Sequence, residues 1–114
     1  MKKLIHVIDN DGHLRDNITE LLEMEGYQVN VINPDDVNQW LGTISGLVLI
    51  NGLTLRNQTE RIISAVKDQT NGIGSSVLVL SEDLNQEAFR NADRLIPMPF
   101  SQSEFSESVA TYSK

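Results

Sequence analysis

Cysteine is absent from this chain of 114 residues, which excludes disulfide bonds, thiolate metal sites and a cysteine nucleophile. Basic residues are also scarce, because 9 Lys and Arg stand against 16 Asp and Glu, giving a formal net charge of −7. Nucleic acids and anionic membranes bind surfaces rich in Lys and Arg. We therefore expect neither as a partner, and a chain without cysteine is compatible with a cytoplasmic location.

Long apolar runs are missing as well. The apolar stretch near the N-terminus extends only from Leu4 to Ile8, which is too short for a membrane span or the core of a signal peptide. The sequence contains no repeats or low-complexity tracts, and its apolar fraction of 39% is typical of a globular protein. We therefore predict one domain that spans residues 1–114.

Short apolar runs alternate with segments of helical periodicity along the whole chain. Gly26 marks the end of the first predicted helix, Pro34 opens a short second helix, and Ser101 with Glu104 forms a capping box before the last helix. The predicted strands are residues 4–8, 28–32, 47–50, 77–80 and 94–97. The predicted helices are marked by Leu14, Ile18, Leu21 and Leu22, by Val37, Trp40 and Leu41, by Ile62, Ile63 and Val66, by residues 84–91, and by Phe105, Val109 and Tyr112.

The segment GLVLINGLTL, residues 46–55, supports two interpretations. Asn51-Gly52 between apolar residues is a strong pattern for a hairpin turn. The alternation of strands and helices instead indicates right-handed βαβ units and a parallel sheet, in which apolar runs such as LVLI are central strands. No second alternating strand follows Gly52, so we predict that Asn51 lies at the carboxyl end of a central strand, where such sheets bind ligands.

Polar residues and short motifs follow the predicted strands in a definite order. Asp9-Asn10-Asp11 follows the first strand, Asn51 the third, Ser81 the fourth, and Met98-Pro99-Phe100 the fifth. This order along the whole chain, carried by KKLIHVIDND, LRDNITELLEMEGYQV, GLVLIN, VLVLS and IPMPF, resembles the receiver domain of bacterial response regulators. The resemblance implies a flavodoxin-like (βα)5 fold, a three-layer α/β sandwich around a parallel five-stranded sheet of order 2-1-3-4-5.

In that family, an acidic pair after strand 1 holds Mg²⁺, and an aspartate ending strand 3 accepts the phosphoryl group. A hydroxyl residue after strand 4 and a lysine after strand 5 bind the phosphoryl oxygens. Carried over to this sequence, Asp9 matches the first acidic position and Ser81 the hydroxyl position. Asn10 stands at the second acidic position, Asn51 at the acceptor and Met98 at the lysine, so the resemblance implies a degenerate phosphorylation pocket.

These departures are chemically consistent with one another. An amide is a poor nucleophile, so Asn51 cannot form the acyl phosphate that a carboxylate forms. Mg²⁺ prefers several anionic oxygens, so Asp9 and Asp11 would hold it weakly at best, and we expect no other cofactor. A buried ammonium without a facing carboxylate is costly, so the apolar Met98 suits a pocket that contains Asn51. A simpler reading is also open, in which Asp9 and Asp11 form a solvated turn and Ser81 caps the next helix.

The resemblance implies signal transduction, and the departures imply an atypical pseudo-receiver that acts through phosphorylation-independent binding of a protein. The partner would be a histidine kinase or another signalling protein, and no enzymatic activity is expected. Receivers commonly use the surface of the fourth helix, the fifth strand and the last helix for partners or homodimers, and Leu95 stands where they carry an aromatic switch residue. We call this surface the partner face; it comprises Gln86, Arg90, Arg94, Leu95, Ser106 and Tyr112.

Two alternatives remain at this point. Gly52 makes attack of the backbone nitrogen on the Asn51 side chain easier, and deamidation would then restore an aspartate and a conventional phosphoacceptor. The chain could also be a small-ligand module on the same scaffold, which an apolar pocket around Met98 would support, although no cofactor motif is present.

Overall fold

The computed structural model describes residues 3–9, 12–40, 46–52, 58–69, 75–82 and 91–113. Its strands form one sheet in the order β2-β1-β3-β4-β5, and every neighbouring pair is parallel, which confirms the predicted order. The parallel pairing of β3 with β1 and β4 excludes the hairpin interpretation. The strands are β1 Leu4–Ile8, β2 Gln28–Ile32, β3 Leu47–Asn51, β4 Ser76–Ser81 and β5 Arg94–Pro97.

Helices connect β1 to β2, β2 to β3 and β3 to β4, as the alternating pattern predicts. In the described part of the chain, no helix is long and apolar enough to cross a membrane. The predicted helix at residues 84–91 lies outside the described residues except for Asn91, and Leu41 lies outside them too. The described helices are α1 Gly12–Met24, α2 Val37–Trp40, α3 Thr59–Gln69 and α4 Gln102–Tyr112, and a 3₁₀ turn, Pro34–Asp36, precedes α2.

The helix ends follow the capping chemistry that the sequence predicts. Ser101 Oγ accepts a hydrogen bond from the Glu104 backbone N–H at 3.1 Å, so the predicted cap opens α4. Gly26 has a φ of 94°, a conformation that a glycine after a helix adopts without strain. Asn33 accepts from the Asp35 N–H at 2.9 Å, which fixes the turn that Pro34 begins.

Two apolar cores lie on opposite faces of the sheet, because successive strand residues point to opposite sides. The first, which we call the α1–α4 core, packs both of these helices on strand residues such as Leu49. The second, the α2–α3 core, packs the other two helices on residues such as Ile50. The predicted three-layer sandwich is therefore confirmed, and β3 and β4 are its most deeply buried strands.

His6 is a polar residue inside the buried part of β1, with only 3% of its surface exposed. Its Nδ1 lies 3.1 Å from Asn30 Nδ2 on β2. Because an amide nitrogen only donates, Nδ1 accepts and the proton of the neutral ring is on Nε2. No hydrogen-bond partner for Nε2 occurs among the described residues. Burial lowers the pKa of His6, because desolvation disfavours the charged imidazolium.

We expect the free energy of unfolding to fall as the pH is lowered below about 6.5, the ordinary pKa of histidine. Below that pH, His6 takes up a proton in the unfolded chain but stays neutral in the folded chain, so each fall in pH favours unfolding. The loss ends once the pH lies below the pKa of His6 in the folded chain, where both states are protonated. Urea unfolding between pH 8 and pH 4 measures this loss.

The His6→Gln variant should lack the part of the pH slope that comes from this side chain, whatever its overall stability. His13→Gln is the matched control, since it retains His6 and should retain the acid loss. An identical pH slope in His6→Gln and in the unchanged chain would contradict the assignment.

Candidate functional site

The candidate site lies at the edge of the sheet where β1, β3, β4 and β5 end. Ile8 of β1 pairs with Ile50 of β3, so the next residues of the two strands, Asp9 and Asn51, are neighbours. Asn51 in turn pairs with Leu80 of β4, one residue before Ser81. Parallel pairing therefore places Asp9, Asn51 and Ser81 side by side at the ends of neighbouring strands.

A buried hydrogen bond joins Asp9 and Asn51. Asn51 Nδ2 donates to Asp9 Oδ2 at 3.0 Å. Asp9 is 0% exposed and Asn51 is 1% exposed. An ionised carboxylate only accepts hydrogen bonds, so the amide must turn its nitrogen toward Asp9. The reading of Asp9 as part of a solvated turn is therefore wrong, while Asn10 and Asp11 lie outside the described residues.

This contact determines what the pocket can hold. A carboxylate is costly to bury unless donors compensate it, and the Asn51 amide is one such donor. An aspartate at position 51 would instead bring two carboxylates together and would favour a cation between them. Within the described residues, no three His, Cys, Asp or Glu side chains are grouped as a metal site. Among the described residues, this single carboxylate held by an amide N–H does not fit the ligand preference of Mg²⁺.

Ser81 and Met98 form the other side of the site. Ser81 is the last residue of β4 and is only 4% exposed. Its carbonyl accepts a hydrogen bond from the Met98 N–H at 3.1 Å, and the Met98-Pro99 peptide bond is cis. The half-buried Met98 packs against the α1–α4 core, so an apolar side chain lines the site just after β5. Whether Ser81 caps a helix stays a prediction, because residues 83–90 are not described.

The described part of the partner face is formed by β5 and α4. Arg94 and Leu95 are half-buried on β5, and Leu95 packs against the α2–α3 core. Tyr112 is half-buried on α4, and its hydroxyl donates to the Asp93 carbonyl at 3.4 Å. Ser106 donates to the carboxylate of Glu25, which follows α1. Gln86 and Arg90 lie outside the described residues.

Asp93, which the sequence did not single out, organises the start of β5. Its Oδ2 accepts from Lys67 Nζ at 2.6 Å and from the Val77 N–H at 2.7 Å. Lys67 also donates to the Ser75 carbonyl at 2.8 Å, so α3, β4 and the start of β5 are joined here. Lys67 and Asp93 are 26 positions apart in the chain, and no local pattern relates them.

Comparison with protein-family models finds no match for this chain. Comparison with curated proteins finds no significant match either. The sequence therefore provides no family assignment beyond the resemblance carried by its motifs, and solved structures supply the remaining comparison.

The fold is the flavodoxin-like receiver fold, and similar solved structures are receiver domains. A response regulator signal receiver domain from Bermanella marisrubri has a TM-score of 0.81 at 18% identity, with 100% of each chain covered. A response regulator from Thermotoga maritima has a TM-score of 0.77 at 18% identity, with 98% of each chain covered. A CheY-like response regulator from Mesorhizobium loti has a TM-score of 0.69 at 16% identity, covering 98% of this chain and 99% of that chain. At these identities the likeness shows a shared fold.

We expect Asn51→Asp to destabilise the domain by roughly 2–4 kcal/mol at neutral pH without divalent cations, because it replaces a buried donor with a second carboxylate. Mg²⁺ should recover part of the loss, since a cation that binds only the folded variant stabilises it. Urea unfolding with and without MgCl₂ measures both effects.

Asn38→Asp makes the same amide-to-acid change at an exposed position of α2 and is the matched control. It should change stability little in either condition. If Asn51→Asp proved as stable as the unchanged chain in the absence of Mg²⁺, the proposed role of the Asn51 amide would be wrong.

Proposed function

We propose that this chain is an atypical receiver domain, a cytoplasmic signalling module that acts by binding a protein partner without being phosphorylated. It carries out no catalysis, and it needs no Mg²⁺. Its structural neighbours are signal receiver domains of response regulators, which supports a role in signal transduction.

The hydrogen bond from Asn51 to Asp9 is the observation that carries this proposal. Phosphorylation of a receiver requires an anionic nucleophile at the end of β3 and a cation that offsets the charge of the incoming group. Asn51 supplies no anion, and its amide nitrogen faces the carboxylate that would otherwise bind metal. Met98 supplies no positive charge either. The nucleophile, the cation site and the lysine are thus replaced together.

Binding through the partner face fits the same set of changes. Leu95 packs against the α2–α3 core as an aliphatic side chain, so no aromatic ring is present to change position with phosphorylation. Tyr112 and Arg94 combine an aromatic ring and a guanidinium, the side chains that most often dominate protein interfaces. A surface of this composition suits a histidine kinase or another signalling protein, and it would also serve as the interface of a homodimer.

Deamidation of Asn51 finds little support in its surroundings. Attack by the Gly52 nitrogen requires the backbone to bend toward the side chain. Asn51 is 1% exposed, lies in β3 with an extended backbone, and has its amide nitrogen bonded to Asp9. Each of these restrains the rearrangement, so we keep the amide as the functional state of this residue.

A ligand-binding role also lacks the feature that would favour it. The described residues form a cleft of about 200 Å³, but it lies between the 3₁₀ turn, α2 and α3 and is not lined by Met98. Its wall includes exposed charged residues, Asp35 and Arg61, rather than a mainly apolar lining. We therefore prefer the protein-binding role.

Beryllofluoride with Mg²⁺, which mimics an aspartyl phosphate, tests the proposal directly. We expect the amide resonances of Asp9, Asn51 and Ser81 to stay unchanged at all concentrations of the reagent, because no carboxylate is present at position 51 to bind it. Two-dimensional NMR of the labelled protein is the measurement, and acetyl phosphate followed by intact-mass analysis should add no phosphoryl mass.

A saturable, Mg²⁺-dependent shift at these resonances would refute a phosphorylation-independent role. The Asn51→Asp variant is the control for the reagent, and a response in that variant would establish that the remaining pocket tolerates the mimic.

Capture of partners from cells of the source organism tests the partner face. We expect Arg94→Glu to reduce recovery of a specific partner roughly tenfold or more, because a central interface arginine typically contributes that much affinity. Arg61→Glu makes the same charge reversal at an exposed position of α3, in the cleft beside α2, and should leave recovery unchanged. Equal recovery with both variants would move the interface to another surface.

A further inference from the structure

The cleft between the 3₁₀ turn, α2 and α3 has the size of a site for a small molecule. Its volume is about 200 Å³. A water molecule takes up about 30 Å³ of liquid, so the cleft has room for roughly seven waters or for a molecule of up to about ten heavy atoms. Sites for drug-sized ligands begin at about 300 Å³. The volume therefore excludes a nucleotide and admits only a compact ligand.

The floor of the cleft is apolar and belongs to the body of the protein. Val37 and Ile62 line it, and both are nearly fully buried because they pack into the α2–α3 core. Pro34 lines it too and is buried at the start of the 3₁₀ turn, while the half-buried Ala65 lies on α3. Asn38, which is exposed on α2, adds a neutral polar side chain to the lining. An aliphatic group on this floor would be removed from water.

Two opposite charges line the cleft from different walls. Asp35 lies in the 3₁₀ turn, where its backbone N–H donates to Asn33 Oδ1, and Arg61 lies on α3. Both residues are exposed, and neither side chain forms a hydrogen bond or an ion pair within the described residues. The carboxylate and the guanidinium therefore stand farther apart than the roughly 4 Å of an ion pair. The space between them is open to a ligand.

These two charges select the class of ligand. A lone cation at Asp35 would be repelled by Arg61, and a lone anion at Arg61 would be repelled by Asp35. A zwitterion places an ammonium group beside the carboxylate and a carboxylate beside the guanidinium, so both charges of the cleft are compensated at once. An α-amino acid carries both groups within the available size, and the apolar floor favours an aliphatic side chain.

We propose that this cleft binds a free aliphatic α-amino acid of the size of leucine. The Asp35 carboxylate accepts hydrogen bonds from the ammonium group of the ligand. The Arg61 guanidinium donates a bidentate pair of hydrogen bonds to the carboxylate of the ligand. The aliphatic side chain rests on the apolar floor between them.

This site is separate from the strand-end site and from the partner face. Its lining includes neither Asp9 nor Asn51, and it includes no residue of β5 or α4. It also differs from the apolar pocket around Met98 that a small-ligand module would need. The inference thus adds a ligand to the proposed function and does not depend on it.

Titration of the labelled whole chain with L-leucine, followed by two-dimensional NMR, tests the site. We expect saturable shifts at the amides of Asp35, Val37 and Ile62, with a dissociation constant of about 1 mM or below. Two analogues keep the same apolar tail: 4-methylpentanoate lacks the ammonium group, and isopentylamine lacks the carboxylate. Each should bind roughly tenfold more weakly than leucine or worse, because one charge of the cleft then meets no partner.

Two variants assign the charges. Arg61→Gln should raise the dissociation constant of leucine roughly tenfold or more and should not weaken isopentylamine, which has no carboxylate for Arg61 to bind. Asp35→Asn should likewise weaken leucine but not 4-methylpentanoate. Arg15→Gln and Asp36→Asn make the same changes at residues that do not line the cleft, and both should bind leucine as the unchanged chain does.

Three outcomes would overturn the proposal. The first is the absence of a saturable shift at about 10 mM leucine. The second is equal affinity for leucine and for either analogue, which would indicate a site for a single charge. The third is leucine binding that Arg61→Gln and Asp35→Asn both leave intact. The comparison of leucine with its analogues uses the unchanged chain, so it does not require a variant to fold.

Discussion

A parallel sheet covered by helices on both faces brings the carboxyl ends of its strands together away from water, so any charge there must be compensated by its neighbours. Asp9 is the charge in question, and it is fully buried. Asn51 compensates it with an N–H at 3.0 Å. The neutral amide lowers the cost of burying this carboxylate without cancelling its charge, and Met98 packs against the α1–α4 core just after β5.

The strand ends therefore carry a carboxylate bonded to an amide, together with an apolar methionine, on a scaffold that has the receiver fold. The α1–α4 core and the α2–α3 core cover the two faces of a sheet whose fold matches that of a solved receiver domain. The side chains that this sequence places at the strand ends are Asp9, Asn51, Ser81 and Met98. Because many functions share one fold, the function of this chain depends on these side chains and on its exposed surfaces.

The two edges of the sheet differ in length, in charge and in the contacts that hold them. At one edge, β5 is short and carries Arg94 and Pro97, and Asp93 ties its start to α3 and β4 through Lys67. At the other edge, β2 is longer and uncharged, and its outward backbone groups lie open within the described residues.

Much of the fold was predictable because the periodicity of apolar residues reports directly on burial. The bounds of β1, β2 and β5 agree with the prediction, while β3 and β4 extend to Asn51 and Ser81, since strand pairing continues past the last apolar residue. The strand order came from the resemblance, because periodicity does not say which strands are adjacent. The resemblance also identified the candidate site residues, because they lie at the ends of β1, β3, β4 and β5. These residues are Asp9, Asn51, Ser81 and Met98.

By itself, the amino-acid sequence determined the alternation of strands and helices, the helix caps and the chemical identity of the residues at the strand ends, all of which depend on neighbours close in the chain. Only the tertiary structure decided that Asn51 donates to Asp9, that Lys67 bonds Asp93 and that His6 meets Asn30. Each of these contacts joins residues at least 24 positions apart. Strand register and helix packing, rather than any local pattern, set such distances.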